Sequence, residues 1–347
     1  MKIKKYIQFI TNARSQKGEN LALVPLFFKL SIWILRNRGG LIMFFLLGLH
    51  KKGKKFKEYM TQLEYWKIYK KLYPPYYSIL LEDKFVFDRF IKSYDFPIAE
   101  LLALIQYGKI RWIKNGITEP LDNIKNYNLH CFCKMHLKWG GKQVYKLDVV
   151  NGSISIDNKE SDLENLKKII GNEIFILQKT IIQHSELNRL NNSCINSLRI
   201  VTLQEDEKIK IYLKSMRIGI RGSIVDNASQ GNLIIGINDD GTLKENATTF
   251  GIDLNWLTHH PTTHVEFKGF KIPFFQETLD LTKRLHNGFH CFLLIAWDIA
   301  ITENGPVIIE GNPLGDIFWP QIINNFGDKK ELLKTVNKYL ESDLIKY

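Results

Sequence analysis

The chain has 347 residues, 45% of them hydrophobic and 12% aromatic, which excludes a disordered protein and leaves material for two or three lobes with real cores. Four cysteines (Cys131, Cys133, Cys194, Cys291) form no CxxC pair and no metal-ligand spacing, so a disulfide scaffold is set aside and a cytoplasmic compartment is expected. The net charge of +12 belongs to one end: residues 1–75 hold 16 Lys/Arg against Glu19, Glu58 and Glu64, while the rest holds 32 basic and 33 acidic residues.

Two apolar runs come first, LALVPLFFKLSIWIL (21–35) and LIMFFLLGL (41–49), separated by RNRGG and followed by HKKGKKFK (50–57). A bilayer span needs roughly 20 apolar residues; the second run has nine and the first is interrupted by Pro25 and Lys29. A cleaved leader fits poorly, because the runs start late and no small-residue site follows. Apolar stretches flanked by Lys/Arg suit a segment lying on an anionic leaflet. They also suit a helical lobe packed on the body with its lysines in water. Both readings stand for residues 1–57. Nucleic acid is not expected as a partner, since no nucleic-acid motif accompanies the charge.

Residues 56–96 have helical spacing broken at Pro74–Pro75, and LEDKFVFDRFIKSY resumes a helix. PIAELLALIQYGKIRWI gives a short element and a turn at Gly108. LHCFCKMHLKWGGKQVYKLD (129–148) reads as two strands around KWGGK, and EIFILQKTIIQH (173–184) as a β-rich apolar run. NSLRIVTLQEDEKIKIYLKSMRIG (196–219) is a hairpin with an acidic turn. VDNASQGN and HHPTTHVEFKGFKIPFF are loops, and FQETLDLTKRLHNGF (275–289) is an amphipathic helix. Strands and helices mixed with antiparallel hairpins indicate an α+β class.

The stretch WDIAITENGPVIIEGN (297–312) is a hairpin carrying Asp298, Glu310 and Asn312. A three-residue loop, ENG, with Gly305 left-handed would pair Thr302 with Pro306, Ala300 with Ile308 and Asp298 with Glu310. Asn312 then projects from the same face as Glu310. Two opposed carboxylates repel, so one must take a proton or both must meet a cation. An all-oxygen donor set suits Mg²⁺, with Mn²⁺ as an alternative. Upstream, Lys134 lies on a strand and Gly140, Gly141 and Lys142 form a turn of the kind whose N–H groups approach phosphates. A glycine pair between strands is also simply a hairpin turn. The plainer account of Arg199 and Arg217 is an ion pair with an acidic neighbour. His259, His260 and His264 suit surface or substrate contacts better than zinc, and Cys131 and Cys133 suit core packing.

In this order the pieces resemble the ATP-grasp superfamily, and the C-terminal stretch resembles its ribosomal-protein glutamate ligases. IIQHSELNRLNNSCINSLRIVTL, RIGIRGSIVDNASQGN, HHPTTH and WDIAI…EGN resemble, more narrowly, the sugar-transfer-associated ATP-grasp proteins, which are encoded among capsule and surface-polysaccharide genes. The resemblance covers residues 78–325. It implies an ATP-grasp fold of two α+β lobes around a nucleotide: a small lobe at 129–187 and a large lobe at 188–330. A largely helical basic extension (1–75) and a pre-ATP-grasp region (76–128) would precede them, and a C-terminal helix (331–347) would follow. It implies that Lys134, Gly140, Gly141, Lys142, Gln178, Lys179 and Ile181 bind ATP. It implies that Arg199 and Arg217 face the γ-phosphate and acyl-phosphate, that Asn227 stands beside the metals, and that Asp298, Glu310 and Asn312 ligate Mg²⁺. Two departures occur: Gly231–Asn232 replaces a glycine pair, and the loop after EGN is PLGD.

The implied chemistry is an ATP- and Mg²⁺-dependent ligation of a carboxylate to an amine through an acyl-phosphate, with a sugar acid or amino-acid substituent of a surface polysaccharide as substrate. Asp226, Gln230, His260 and His264 are candidate substrate contacts. The same fold and metal site could serve a kinase that phosphorylates a hydroxyl. A non-catalytic, membrane-associated accessory of a glycosyltransferase complex is the third reading. The expected place is the cytoplasm, with the inner face of the membrane as a peripheral site.

Overall fold

A computed structural model describes residues 23–37, 40–51, 53–73, 75–137, 143–220, 222–226, 231–249, 256–313, 315 and 318–341. The first helices are α1 (Leu23–Asn37), α2 (Leu41–Leu46), α3 (Gln62–Leu72), α4 (Pro75–Glu82) and α5 (Lys84–Ser93). Local chemistry sets their ends. Thr61 and Glu64 form a reciprocal capping box at the start of α3. The Asp83 carboxylate accepts from the Phe85 and Val86 N–H groups and so caps α5.

An eight-stranded antiparallel sheet has the order β3-β2-β1-β8-β4-β5-β6-β7. Its strands are β1 (Leu101–Gln106), β2 (Lys109–Trp112), β3 (Thr118–Pro120), β4 (Leu129–Met135), β5 (Val144–Val150), β6 (Ser153–Ile156), β7 (Lys159–Ser161) and β8 (Phe175–Lys179). The helix α6 (Leu163–Ile170) crosses from β7 to β8. Alternate residues of β1 and β4 point inward, as period-2 patterning requires. The core beneath holds Ala103, Ile105, Cys131, Cys133, Leu166 and Phe175. The two cysteines are core residues, and burial pushes both thiols up. The region at 101–120 thus joins the same sheet as the strands that follow Leu129.

A six-stranded antiparallel sheet has the order β12-β11-β10-β9-β13-β14. It comprises β9 (Leu198–Glu205), β10 (Lys208–Ile218), β11 (Leu233–Ile237), β12 (Leu243–Thr249), β13 (Leu294–Thr302) and β14 (Gly305–Asn312). A short helix, α7 (Ser185–Asn188), precedes it, and α8 (Phe275–Gly288) lies within it in sequence. The helices α9 (Phe318–Ile323) and α10 (Lys329–Glu341) follow it. Residues of α3, α4, α5, α8 and α10 pack with the central strands into one core, which is why β9 and β13 are buried along nearly their whole length.

Two segments tie the sheets together. The Ile308 N–H of β14 donates to the Pro97 carbonyl at 2.8 Å, just ahead of β1. The His184 N–H donates to the Ile301 carbonyl at 2.8 Å, just after β8. A third cluster docks the N-terminal segment: Trp33, Phe44, Leu47, Leu49 and Tyr59 pack on Ile234, Phe318, Trp319, Ile322 and Ile323. Residues 1–22 of the expected helical extension lie outside the described residues.

Candidate active site

A cavity opens between the two sheets. One wall is built from Phe132, Lys134, Val144, Gln178, Lys179 and Ile181; the other from Ser197, Arg217, Asp226, Asp298, Glu310 and Asn312.

The acidic wall depends on strand register. Asp298 on β13 pairs with Glu310 of β14 on one side and with Arg199 of β9 on the other. The Asp298–Glu310 pairing is the expected one, but it arises differently. Thr302 pairs with Gly305, Ile301 with Pro306, Ala300 with Val307 and Ile299 with Ile308, so the loop has two residues rather than three. Thr302 Oγ1 stabilises this turn, donating to the Gly305 carbonyl at 2.9 Å while accepting from the Asn304 N–H at 3.2 Å. A bulge then leaves Ile309 without a register partner and restores Asp298 to Glu310.

The two carboxyl groups have opposite fates. Burial alone would push Asp298 up. It accepts from Arg199 through Nε and through Nη2 at 2.7 Å, and from Arg217 Nη1 at 3.1 Å, and these charges hold its carboxyl well below the usual range. Glu310 is pushed up, first by burial and then by the Asp298 charge, with the Lys84 charge pulling the other way. Asn312 Nδ2 donates to Glu310 Oε1 at 3.3 Å. The set is therefore one fixed carboxylate, one carboxylate whose charge is opposed, and a carboxamide. These hard oxygen donors fit a divalent cation such as Mg²⁺, which would relieve the charge on Glu310. Among the described residues no three His, Cys, Asp or Glu side chains form a metal cluster.

The basic wall is equally constrained. Lys134 Nζ donates to Gln178 Oε1 at 2.7 Å, and Gln178 Nε2 donates to the Ala99 carbonyl at 3.2 Å. Burial lowers Lys134 to about 8, against the pull of the Glu310 charge. Lys84, the first residue of α5, also lines the cavity. Its N–H donates to the His136 carbonyl at 3.1 Å, fixing the helix start beside the end of β4, and burial lowers its ammonium too. Sequence reasoning missed Lys84, because one lysine after a helix-capping Asp carries no signal until β4 is laid beside it. It also missed Ser197, which lines the cavity and whose buried hydroxyl has no hydrogen-bond partner among the described residues.

The other expected site residues divide. Arg217 and Asp226 line the cavity. Asp226 accepts from the Ser197 N–H at 2.7 Å, and burial pushes its carboxyl up against the Arg217 charge. Arg199 is buried, donates to Asp298 and is not part of the lining. His260 is also away from the cavity. It is fully buried, Nε2 donates to the Gly219 carbonyl at 2.9 Å, and Nδ1 accepts from the Thr263 N–H at 3.1 Å. These bonds make it a bracket for its own loop. His264 is exposed, with φ of 59°, and does not line the cavity. Gly140, Gly141, Lys142, Asn227 and Gln230 lie outside the described residues.

The sugar-transfer associated ATP-grasp family model matches residues 65–338. No curated protein sequence matches the chain. Solved structures with a similar arrangement include N5-carboxyaminoimidazole synthetase from Staphylococcus aureus complexed with ADP, at 13% identity over 74% of this chain and 52% of that one, TM-score 0.44. D-alanyl-alanine synthetase A from Vibrio cholerae is similar at 11% identity over 77% and 66%, TM-score 0.44. D-Alanine-D-Alanine Ligase from Helicobacter pylori is similar at 10% over 75% and 61%, TM-score 0.41. The chain spans about half the length of the carboxyaminoimidazole structures, 46% and 52% for two of them.

Proposed function

From the premise that the chain belongs to the sugar-transfer associated ATP-grasp family, we propose that it is an ATP- and Mg²⁺-dependent ligase joining a carboxylate to an amine through an acyl-phosphate. The observation that carries this reading is one cavity in which two lysines from one side meet Asp298, Glu310, Asn312 and Arg217 from the other.

Lys84 and Lys134 would neutralise nucleotide phosphates, with Gln178 fixing the direction of Lys134. The backbone at Gln178, Lys179 and Ile181 would meet the base. Asp298, Glu310 and Asn312 would hold Mg²⁺ or Mn²⁺, which when bound offsets charge on phosphate oxygens. Arg217, already facing the cavity, would stabilise the phosphoryl group as the substrate carboxylate attacks the γ-phosphorus and ADP leaves. The amine then attacks the acyl carbon and expels phosphate, forming the amide. Asp226, which lines the cavity on the Arg217 side, would meet the amine-bearing substrate. The family's association with sugar transfer supports a sugar acid or a sugar-borne amine as one substrate, in the building of a surface polysaccharide on the cytoplasmic side.

The test is ADP and phosphate release over a panel of uronic acids and amines, with Asp298→Asn and Glu310→Gln alongside. Amine-dependent phosphate release, lost in both variants, is expected. A stable phosphorylated product without any amine requirement would replace ligase by kinase, and equal ADP release by wild type and variants would remove the site.

A further inference from the structure

We propose that Ser197 and Asp226 form a subsite for a primary ammonium group on a short aliphatic frame, the amine partner of the reaction. That this ligand is the amine partner rests on the ligase reading above; the subsite itself does not. Ser197 stands just before β9, is 1% exposed and lines the cavity. Its N–H donates to Asp226 Oδ2 at 2.7 Å, which ties the carboxyl group to the start of that strand. Its hydroxyl has no well-formed hydrogen bond to any described residue. Buried hydroxyls are rarely left so, and beside a ligand cavity the missing partner is a ligand. Asp226 also has room for one. Burial pushes its carboxyl up, the Arg217 charge and Ser197 pull it down, and the Asp298 charge adds to the rise. Arg217 is already committed to Asp298, to which its Nη1 donates at 3.1 Å. A second cation beside Asp226 therefore offsets the cost of holding that charge out of water.

The segment between β10 and β11 that carries Asp226 is clamped at several points. The Gly219 N–H donates to Asn196 Oδ1 at 3.1 Å. Asn232, fully buried, accepts through Oδ1 from the Ile220 N–H at 3.0 Å and the Ser223 hydroxyl at 2.6 Å, and its Nδ2 donates to the Val225 carbonyl at 2.7 Å. A glycine there could make none of these bonds, so the asparagine that departs from the glycine pair fixes this segment. The segment contributes Ile224 and Val225 to the cavity lining, and Ile195, two residues before Ser197, lines it as well. The polar pair thus has aliphatic neighbours. An ammonium group has three donors, and the Asp226 carboxylate and Ser197 Oγ are acceptors for two of them. The walls suit methylene groups and offer the ring hydroxyls of an amino sugar little to bond.

The experiment is saturation-transfer NMR on the full chain loaded with Mg²⁺ and a non-hydrolysable ATP analogue, titrated with butylamine, valine, 1-butanol and glucosamine. Wild type is compared with Ser197→Ala, which keeps the N–H that holds Asp226, and with Asp226→Asn, which keeps an acceptor for that N–H. Butylamine and valine should bind wild type, with butanol and glucosamine weaker by about tenfold or more. Each variant should lose about tenfold or more in amine affinity. Ser197→Ala should melt at the wild-type temperature or above, because the hydroxyl it removes has no partner to lose. The proposal is overturned if no amine binds wild type, if butanol or glucosamine binds as tightly, or if both variants bind amine as wild type does. A lower melting temperature for Ser197→Ala without ligand also overturns it, since the hydroxyl would then be structural. Amine binding that needs both residues, in a chain that releases no phosphate with any amine, would remove the ligase reading and keep the subsite. Amide formation unchanged in both variants would do the reverse.

Discussion

Asp298 and Glu310 sit side by side in one wall, yet Asp298 accepts from two arginines, whereas the Arg199 charge acts on Glu310 more weakly than burial and the Asp298 charge do. That asymmetry makes Glu310 the residue whose loss should separate stability from activity. Its carboxyl is raised in the folded chain, so the fold favours its protonated form. The stability it contributes is present at low pH and is lost as pH rises from the ordinary glutamate range through the raised value. At neutral pH, Glu310→Gln should therefore melt at the same temperature as wild type or higher, while added Mg²⁺-ATP no longer raises the melting temperature. ADP release by the variant should fall by about 100-fold or more. A drop in melting temperature without nucleotide would show that Glu310 is structural. Lys134 gives a second handle. With its ammonium at about 8 in the nucleotide-free protein, affinity for ATP should decline as pH rises through that value. Lys134→Met should bind weakly at every pH and lose the inflection. Titration by calorimetry from pH 7 to 9.5 measures both.

Strand pairing was legible at the level of single elements, and register was not. The hairpins at 198–218 and 294–312 follow from β-rich, largely apolar runs bounded by polar turns. The residue count between Asp298 and Glu310 fits either a three-residue loop or a two-residue loop plus a bulge, and both lead to the same pair. Only backbone hydrogen bonds distinguish them. The polar network under this sheet was equally hidden, because it joins three elements. His286 of α8 donates from Nε2 to the Phe292 carbonyl at 2.7 Å, so Nδ1 is the acceptor for the Thr202 hydroxyl at 2.6 Å; Thr202 Oγ1 in turn accepts from Trp297 Nε1 at 2.8 Å. Burial lowers His286 to about 4. The unfolded chain binds this proton near 6.5, so stability present above that value is lost as pH falls toward 4. The loss should approach about 3 kcal/mol across that window. His286→Gln should be less stable at pH 7 and show a flatter profile between pH 7 and 4.5, measured by urea unfolding. An unchanged slope would place the acid sensitivity elsewhere.

At the scale of the molecule, the site exists only because two sheets with separate cores close on one cavity, and residues far apart in sequence meet there. Sequence motifs could mark Lys134, Asp298 and Glu310 on their own strands. They could not bring in Lys84, whose place depends on where α5 is laid, or foresee that Arg199 and His260 are buried off the cavity lining. The N-terminal segment raises the same question of placement. Phe44, Leu47, Leu49 and Tyr59 cover Trp319, Ile322 and Ile323 of α9 and Ile234 of β11, and α9 begins six residues after Asn312. Each large apolar side chain uncovered forfeits roughly 1.5–3 kcal/mol. Several together approach the whole stability of a typical domain, about 5–15 kcal/mol. Deleting residues 1–59 should therefore yield aggregated or unfolded protein with no nucleotide binding, whatever the segment does at a membrane. Deleting residues 1–22 removes none of these side chains and should preserve a cooperative melt and ATP binding. Calorimetry and light scattering on the two truncations decide the matter: a soluble, cooperatively folding 60–347 fragment would make the segment a separable attachment, and its absence would make it part of the large lobe that carries Asp298 and Glu310.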